Sequence, residues 1–285
     1  MNPKQIYHRS RRRHCGVALG GGGALGLAHV GVLKALEEYG IYPRVISGNS
    51  AGALIGGLYV SGIPVEGLID LSQQLGDDLF DYLKMSFRGG LMNGKRIYRL
   101  LLDILGEKRI EDCDIPFLAA TVDLDSGKTY YIHRGRIADA IRASISVPGV
   151  FPPFEANGLR LIDGGVRDAV PLRALNPYPL SLRIGVGILK ASLNNNMPGY
   201  LDISPGDERD ETAGNESPRI LKVISRSMAI SATEATFKGI NISKPDLALY
   251  VDLGDTMKIW EFKRHEIAIG MGYEQASEQL KAFFG

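Results

Sequence analysis

A run of four glycines, Gly20 to Gly23, and the pentapeptide Gly48-Asn49-Ser50-Ala51-Gly52 each close a short apolar segment and each open a helical one. Gly16 to Leu19 reads as a buried strand. From Leu25 to Tyr39, the residues Leu27, Val30, Leu33 and Leu36 fall at helical spacing until Gly40 stops the pattern. Arg44 to Ser47 is a second short strand, and Ala51 to Val60 a helix of small residues ending near Gly62. Pro64 is placed to open the next helix, because its fixed φ suits a first helical turn. Strand, glycine turn, helix, strand, serine turn, helix is the alternation of a parallel sheet covered by helices.

The rest of the chain continues the alternation less regularly. Asp70 to Gly94 mixes charges, aromatics and glycines and reads as a mobile cover; its Leu75, Leu79, Phe80, Tyr82, Leu83, Met85 and Phe87 suit either an acyl-chain groove or ordinary helix packing. Lys95 to Leu105 is helical, with Ile97, Leu100, Leu101 and Ile104 on one face. Phe117 to Val122 and Thr129 to Ile132 are strands joined through Asp125-Ser126-Gly127, a hairpin-like connection. Ile137 to Ile145 is helical, and Pro148-Gly149 breaks it. Leu159 to Ile162 is a strand leading into Asp163-Gly164-Gly165, and Arg183 to Leu189 is another. Residues 192–217 are polar and rich in Asn, Asp, Glu, Gly and Pro, which predicts an exposed loop. Helices over about 218–238 and 264–282 flank a strand, Leu247 to Val251. No internal repeat and no linker divides the chain, so the expected organisation is a basic arm over 1–14 and one domain over 15–285.

Composition removes several classes of function. A formal net charge of +1 on 285 residues gives no support to nucleic-acid binding. The two cysteines, Cys15 and Cys113, have neither metal-ligand spacing nor partners for a disulfide framework, and fit a reducing compartment. Arg11-Arg12-Arg13 before an apolar stretch resembles a signal peptide. The stretch is too rich in glycine for a stable apolar helix, however, and His29 interrupts it. No run reaches the length of a membrane span. The expected location is the cytoplasm, with the arginine arm available for peripheral contact with an anionic membrane.

The chemistry concentrates at the two glycine motifs. A serine hydroxyl is a weak nucleophile until a base takes its proton and donors stabilise the oxyanion that forms. Gly48 and Gly52 remove side chains that would crowd a sharp turn lifting Ser50 clear of the sheet, at a helix start that favours negative charge. A close-packed turn in which Ser50 is only a cap fits the same residues. Gly21, Gly22 and Gly23 would present free N–H groups beside Ser50. They also begin a G-x-G-x-x-G, but the acidic residue expected after the second strand of a dinucleotide site is replaced by Val45, Ile46 and Ser47. No P-loop lysine is present either. Among candidate bases, His8, His14, His29, His133 and His265 lack the chain order and loop placement of a hydrolase triad. Asp163 is the better candidate, because it follows an apolar strand and Gly164-Gly165 leave its carboxylate uncrowded. Near its reference pKa of about 3.9 it would be a weak base, so it would need a pre-formed hydrogen bond to Ser50 in a water-poor site.

Four ordered segments then carry a resemblance: Gly20 to Leu36 (GGGGALGLAHVGVLKAL), Gly48 to Gly52 (GNSAG), Ala143 to Pro153 (ASISVPGVFPP) and Leu161 to Pro171 (LIDGGVRDAVP). The chain resembles the patatin-like phospholipases, in particular the short soluble bacterial members, over most of residues 15 to 190. The resemblance implies a three-layer α/β/α fold with a central, mostly parallel sheet. It implies Ser50 as nucleophile, Asp163 as sole base of a Ser–Asp dyad, and an oxyanion hole from Gly21, Gly22 and Gly23, with Gly48, Gly52, Gly164 and Gly165 supporting the turns. The implied reaction is hydrolysis of acyl esters of lipids, with no cofactor and no metal. A non-lipid carboxylesterase or acyltransferase, and a catalytically weak lipid-binding relative, are the alternatives. Leu25 stands where the family's glycine loop usually has Arg or Lys, and Ala169 where it usually has Asn; both departures bear on substrate more than on reaction.

Overall fold

Alternate residues of each central strand enter different cores, as a pleat with period two requires when both faces of a sheet are covered. The computed structural model describes residues 14–74, 94–189, 220–254, 256–257 and 261–285. Strand β1 (Cys15–Leu19) sends Cys15, Val17 and Leu19 into the larger core and Ala18 into the smaller one. Strands β2 (Pro43–Gly48) and β3 (Phe117–Asp123) divide in the same way, Ile46, Phe117 and Ala119 against Val45 and Leu118.

The larger core is built under helices α1 (Ala28–Glu38), α2 (Ala51–Val60), α3 (65–74), α4 (Gly94–Leu105), α5 (Ile137–Ser144) and the C-terminal α7 (His265–Phe284). The smaller core lies under a 3-10 turn at Leu172–Leu175 and under α6 (Ile220–Ser243). Residues of β7 (Leu182–Leu189) come very close to this thin layer. A Cβ on Gly185 would approach Leu172 Cδ1 to 3.0 Å, and one on Gly187 would approach Thr236 to 2.7 Å. Helices on two faces of one sheet make the three-layer architecture expected.

Among the described residues one sheet contains eight strands, in the order β5 (Phe154–Ala156), β6 (Leu159–Asp163), β3, β2, β1, β7 and β8 (Leu247–Asp252), with β4 (Thr129–Ile132) on β3. The run β3-β2-β1-β7-β8 is parallel throughout. The antiparallel part is β4, β5 and β6. Sequence periodicity misses β5, which has three residues and half-buried side chains; Asn157 (φ 51°) and Gly158 (φ 76°) turn it back into β6.

The register around β3 places the site. β3 pairs with β2 up to Ala119–Gly48, with β4 from Ala119 to Val122, and with β6 from Thr121 to Asp123. A strand has only two edges, so β4 takes one and β6 must take the edge that β2 leaves at Gly48. β6 runs antiparallel to β3 and therefore heads towards the end of β2. Its last residue, Asp163, lies opposite Thr121, just past the Ala119 that Gly48 faces.

Other elements follow the expected boundaries within one or two residues, with two exceptions. The helix expected over about 218–238 runs on to Ser243. The helix expected from Leu25 begins as a 3-10 turn, Gly23–Leu27, and becomes α-helical only at Ala28. Most of the expected arm, the greater part of the expected cover at 70–94 and the loop at 192–217 lie outside the described residues. Among the described residues no helix is long and apolar enough to cross a membrane.

α1 and α7 cross at backbone contact. A Cβ on Gly31 would stand 2.0 Å from the carbonyl oxygen of Ile269, and one on Gly272 would stand 2.1 Å from that of Ala28. Neither obstacle is a flexible side chain, so the helices would have to separate. Gly31→Ala should lower stability by about 1–3 kcal/mol, read as an earlier urea midpoint with unchanged m-value, although alanine is the better helix former.

Candidate active site

Ser50 sits between β2 and α2 with φ 52° and ψ −120°, a left-handed backbone that a residue bearing a Cβ rarely adopts. Such a conformation costs on the order of 1–3 kcal/mol and persists only where surrounding structure over-determines it. Here the restraints are visible. Ser50 N–H donates to Ser144 Oγ at 3.0 Å, and the Ser144 hydroxyl donates to the Ala120 carbonyl at 2.7 Å. Asn49 N–H donates to Leu19 O at 3.0 Å, and Gly52 N–H to Asn49 O at 2.8 Å.

The motif's glycines are needed for space. A Cβ on Gly48 would lie 2.4 Å from Gly52 O, and one on Gly52 would lie 2.2 Å from Leu19 O. The start of α2 therefore crosses the ends of β1 and β2 with nothing between the backbones. Gly164 and Gly165 serve the other half of the site in the same way: their Cβ atoms would meet the Ala120 backbone at 2.7 Å and Asn49 Nδ2 at 2.8 Å.

Asp163 is buried at the end of β6. Its N–H donates to Ser146 O at 3.0 Å, and its Oδ1 accepts from Gly165 N–H at 2.8 Å. Burial pushes its pKa up to about 6. Hydrogen bonding from the Ser50 hydroxyl, the Gly165 N–H and the Asn49 side chain opposes that rise by stabilising the carboxylate. The carboxylate is thus a stronger base than the reference value suggests, and it faces the serine.

One short segment restrains both residues. Ser144, at the end of α5, takes the N–H of Ser50, and Ser146 takes the N–H of Asp163. Arg142, buried one turn earlier, donates to Ser146 Oγ at 2.6 Å and to Pro152 O at 3.2 Å, with its guanidinium over the Phe151 ring. Sequence reasoning included this stretch in Ala143 to Pro153 but assigned no role to it. The Ser144 hydroxyl, just where a helix stops, was the available signal; Ser146 meets Asp163 through its backbone carbonyl, which any residue would supply.

The glycine loop lies next to Ser50: a Cβ on Gly21 would come within 3.5 Å of Ser50 Cβ. The three donors expected there are not equivalent. Gly21 N–H is directed at the Ala169 carbonyl, 3.2 Å away. Among the described residues no carbonyl accepts the N–H of Gly22 or Gly23. Only Gly23 uses the left-handed region, at φ 57°.

His29 fixes the base of this loop by donating from Nε2 to Gly20 O at 2.7 Å. A carbonyl only accepts, so the proton is on Nε2 and the ring is neutral; burial lowers its pKa to about 4. His133 is exposed beyond β4 and His265 opens α7. Leu25 is buried within the large core, and the buried Ala169 contributes its backbone carbonyl, to Gly21 N–H and Asn49 Nδ2. Among the described residues no group of three or more His, Cys, Asp or Glu could hold a metal ion.

Residues 17–176 match the family model of the patatin-like phospholipases. An NTE family protein of Mycobacterium tuberculosis is 36% identical over 173 residues, covering 60% of this chain and 48% of that protein. Lysophospholipase nte1 of Emericella nidulans is 32% identical over 217 residues, covering 71% of this chain and 14% of that protein. The chain thus spans about half the length of the mycobacterial relative and a small part of the fungal one. Among solved structures, VipD from Legionella pneumophila shares the fold with a TM-score of 0.51 at 15% identity, over 94% of this chain and 67% of that one.

Two stability measurements test this geometry. An aspartate whose pKa is raised by folding destabilises the native state once it ionises. The penalty is absent below pH 3.8, grows as pH rises, and is complete above about 6. Asp163→Asn should therefore raise stability at pH 8 by up to roughly 3 kcal/mol and change it little at pH 4, measured by urea unfolding at both pH values. Ser144→Ala should lower stability by about 1–3 kcal/mol, because the buried Ser50 N–H loses its acceptor.

Proposed function

The chain belongs to the patatin-like phospholipase family, and on that premise we propose that it is a serine hydrolase cleaving fatty-acyl esters of lipids with Ser50 and Asp163 as its dyad. The observation that carries this reading is the buried Asp163 carboxylate, raised to about 6 and hydrogen-bonded with the Ser50 hydroxyl. A base near the working pH is largely ionised at neutrality and still accepts a proton in the transition state. The lysophospholipase names of the fungal relatives support a lipid ester as substrate.

In the first half-reaction Asp163 takes the Ser50 proton as Oγ bonds to the ester carbonyl carbon. The carbonyl oxygen becomes an oxyanion, for which the N–H groups of Gly22 and Gly23 are the donors. Collapse breaks the bond to the alcohol oxygen, which receives the proton from Asp163 and departs, leaving an acyl-serine. In the second half-reaction Asp163 takes a proton from water as the hydroxyl oxygen bonds to the acyl carbon. Collapse releases the fatty acid and returns the proton to Ser50 Oγ. The donor set is smaller than the three expected, because Gly21 N–H is directed at Ala169. Loss of one oxyanion donor typically costs about 2.7–4 kcal/mol of transition-state stabilisation, so the position of Gly22 and Gly23 matters to rate more than to fold.

A second reading, cleavage of soluble acyl esters, is favoured by Leu25. Its side chain is buried in the core and contributes no cation at the mouth of the loop to attract a phosphate headgroup.

Wild-type protein should be labelled at Ser50 by a fluorophosphonate and should release fatty acid from lysophosphatidylcholine, whereas Ser50→Ala should do neither. Asp163→Asn should retain the fold and lose at least about a hundredfold in kcat, the range of general-base contributions. Equal labelling of wild type and Ser50→Ala would remove the nucleophile assignment. A faster rate on p-nitrophenyl butyrate than on every lysophospholipid in a headgroup series would favour the soluble-ester reading.

A further inference from the structure

The geometry points to Asn49 as a positioning residue: through its side-chain amide it holds the Asp163 carboxylate and thereby sets the lower pH limit of activity. This deepens the dyad reading and rests on it. Asn49 is almost wholly buried, one residue before Ser50, at the point where three chain segments meet. A Cβ on Gly165 would stand 2.8 Å from Asn49 Nδ2 and 3.0 Å from Asp163 Oδ1. A Cβ on Gly21 would stand 3.0 Å from the same Nδ2. The amide is thus wedged between the loop that carries the base and the loop that carries the oxyanion donors.

Its orientation follows from its neighbours. Nδ2 faces the carboxylate of Asp163 and, at 3.5 Å, the carbonyl oxygen of Ala169. Both are acceptors, so the nitrogen must be on that side. The remaining atom, Oδ1, is buried without a hydrogen-bond partner among the described residues. An unsatisfied buried acceptor is unfavourable. A residue selected for packing alone has no reason to accept that penalty, whereas one required for its two N–H donors does. Ala169 O also receives Gly21 N–H, so the acceptor that steadies Asn49 also holds the glycine loop.

The consequence is a definite direction. A donor to a carboxylate favours its charged form and opposes the effect of burial. The Ser50 hydroxyl and the Gly165 N–H act in the same sense. The other polar groups around Asp163 are Thr121 on β3, Ser144 and Ser146 at the end of α5, and the backbone of the glycine loop. Among the described charged side chains, Arg142 near the end of α5 is engaged with Ser146, and Asp168, beyond Gly165, with Tyr131. Neither is a cause of the Asp163 shift. Removing the Asn49 donor should therefore raise the Asp163 pKa, and a carboxylate at position 49 should raise it further by like-charge repulsion.

The test is the pH profile of kcat/KM on p-nitrophenyl butyrate for wild type, Asn49→Ala and the isosteric Asn49→Asp, each compared with its own alkaline plateau. The acid limb should move up by about one pH unit in Asn49→Ala, and further in Asn49→Asp. Urea unfolding provides a second readout that needs no turnover. Asn49→Ala should destabilise more at pH 8 than at pH 4, and this pH dependence should vanish in the Asp163→Asn background. Acid limbs unmoved in both folded variants, with a pH-independent stability loss, would make Asn49 merely structural and overturn the proposal while leaving the dyad intact. A wild-type profile with no acid limb, or one that persists in Asp163→Asn, would overturn the dyad and the role of Asn49 together.

Discussion

The structure depends on a meeting of strand ends. β2 and β6 occupy the same edge of β3 from opposite directions, because β4 occupies the other edge. The last residues of the two strands therefore face each other across one unpaired stretch of β3. One end carries Asn49-Ser50, and the other carries Asp163. The ladder of the sheet brings serine and carboxylate together.

That arrangement creates two unfavourable terms, a left-handed backbone at Ser50 and an ionised carboxylate with little water. The site holds both through backbone hydrogen bonds rather than through counter-charges. Ser144 and Ser146 each receive one N–H from the pair, and Gly165 returns one N–H to the carboxylate. Among the described residues no cation contributes to the position of the Asp163 pKa. A salt bridge would have pulled that pKa below the reference value and weakened the base. Neutral donors permit a pKa near 6, between an inert carboxylate and a permanently protonated acid.

The glycines divide by role rather than forming one flexible class. Gly48, Gly52, Gly164 and Gly165 are present because another backbone or side chain occupies the space of a Cβ. Gly23 is present because the loop turns through positive φ. His29, neutral and buried, ties the start of the same loop to α1.

The sequence by itself determined much of this protein. Period-two and period-3.6 patterns located nearly every described helix and strand, since each buries a face whose spacing is set by local geometry. Gly48 to Gly52 and Asp163 to Gly165 marked the two halves of the candidate site, because close backbone crossings leave glycine as the residue that fits. What only the tertiary structure decided depends on contacts between residues far apart in the chain. β5, with three residues, was too short to show a period. The roles of Asn49, Ser144 and Ser146 arise from hydrogen bonds that join separate segments, and a serine or asparagine at a turn looks the same whether or not such a partner exists. The commitment of Gly21 N–H to Ala169 was equally invisible, because any residue at 169 presents a carbonyl. Basicity belongs to this second group: an aspartate acquires a pKa of about 6 only when the fold removes its water, and burial is a property of the assembled sheet.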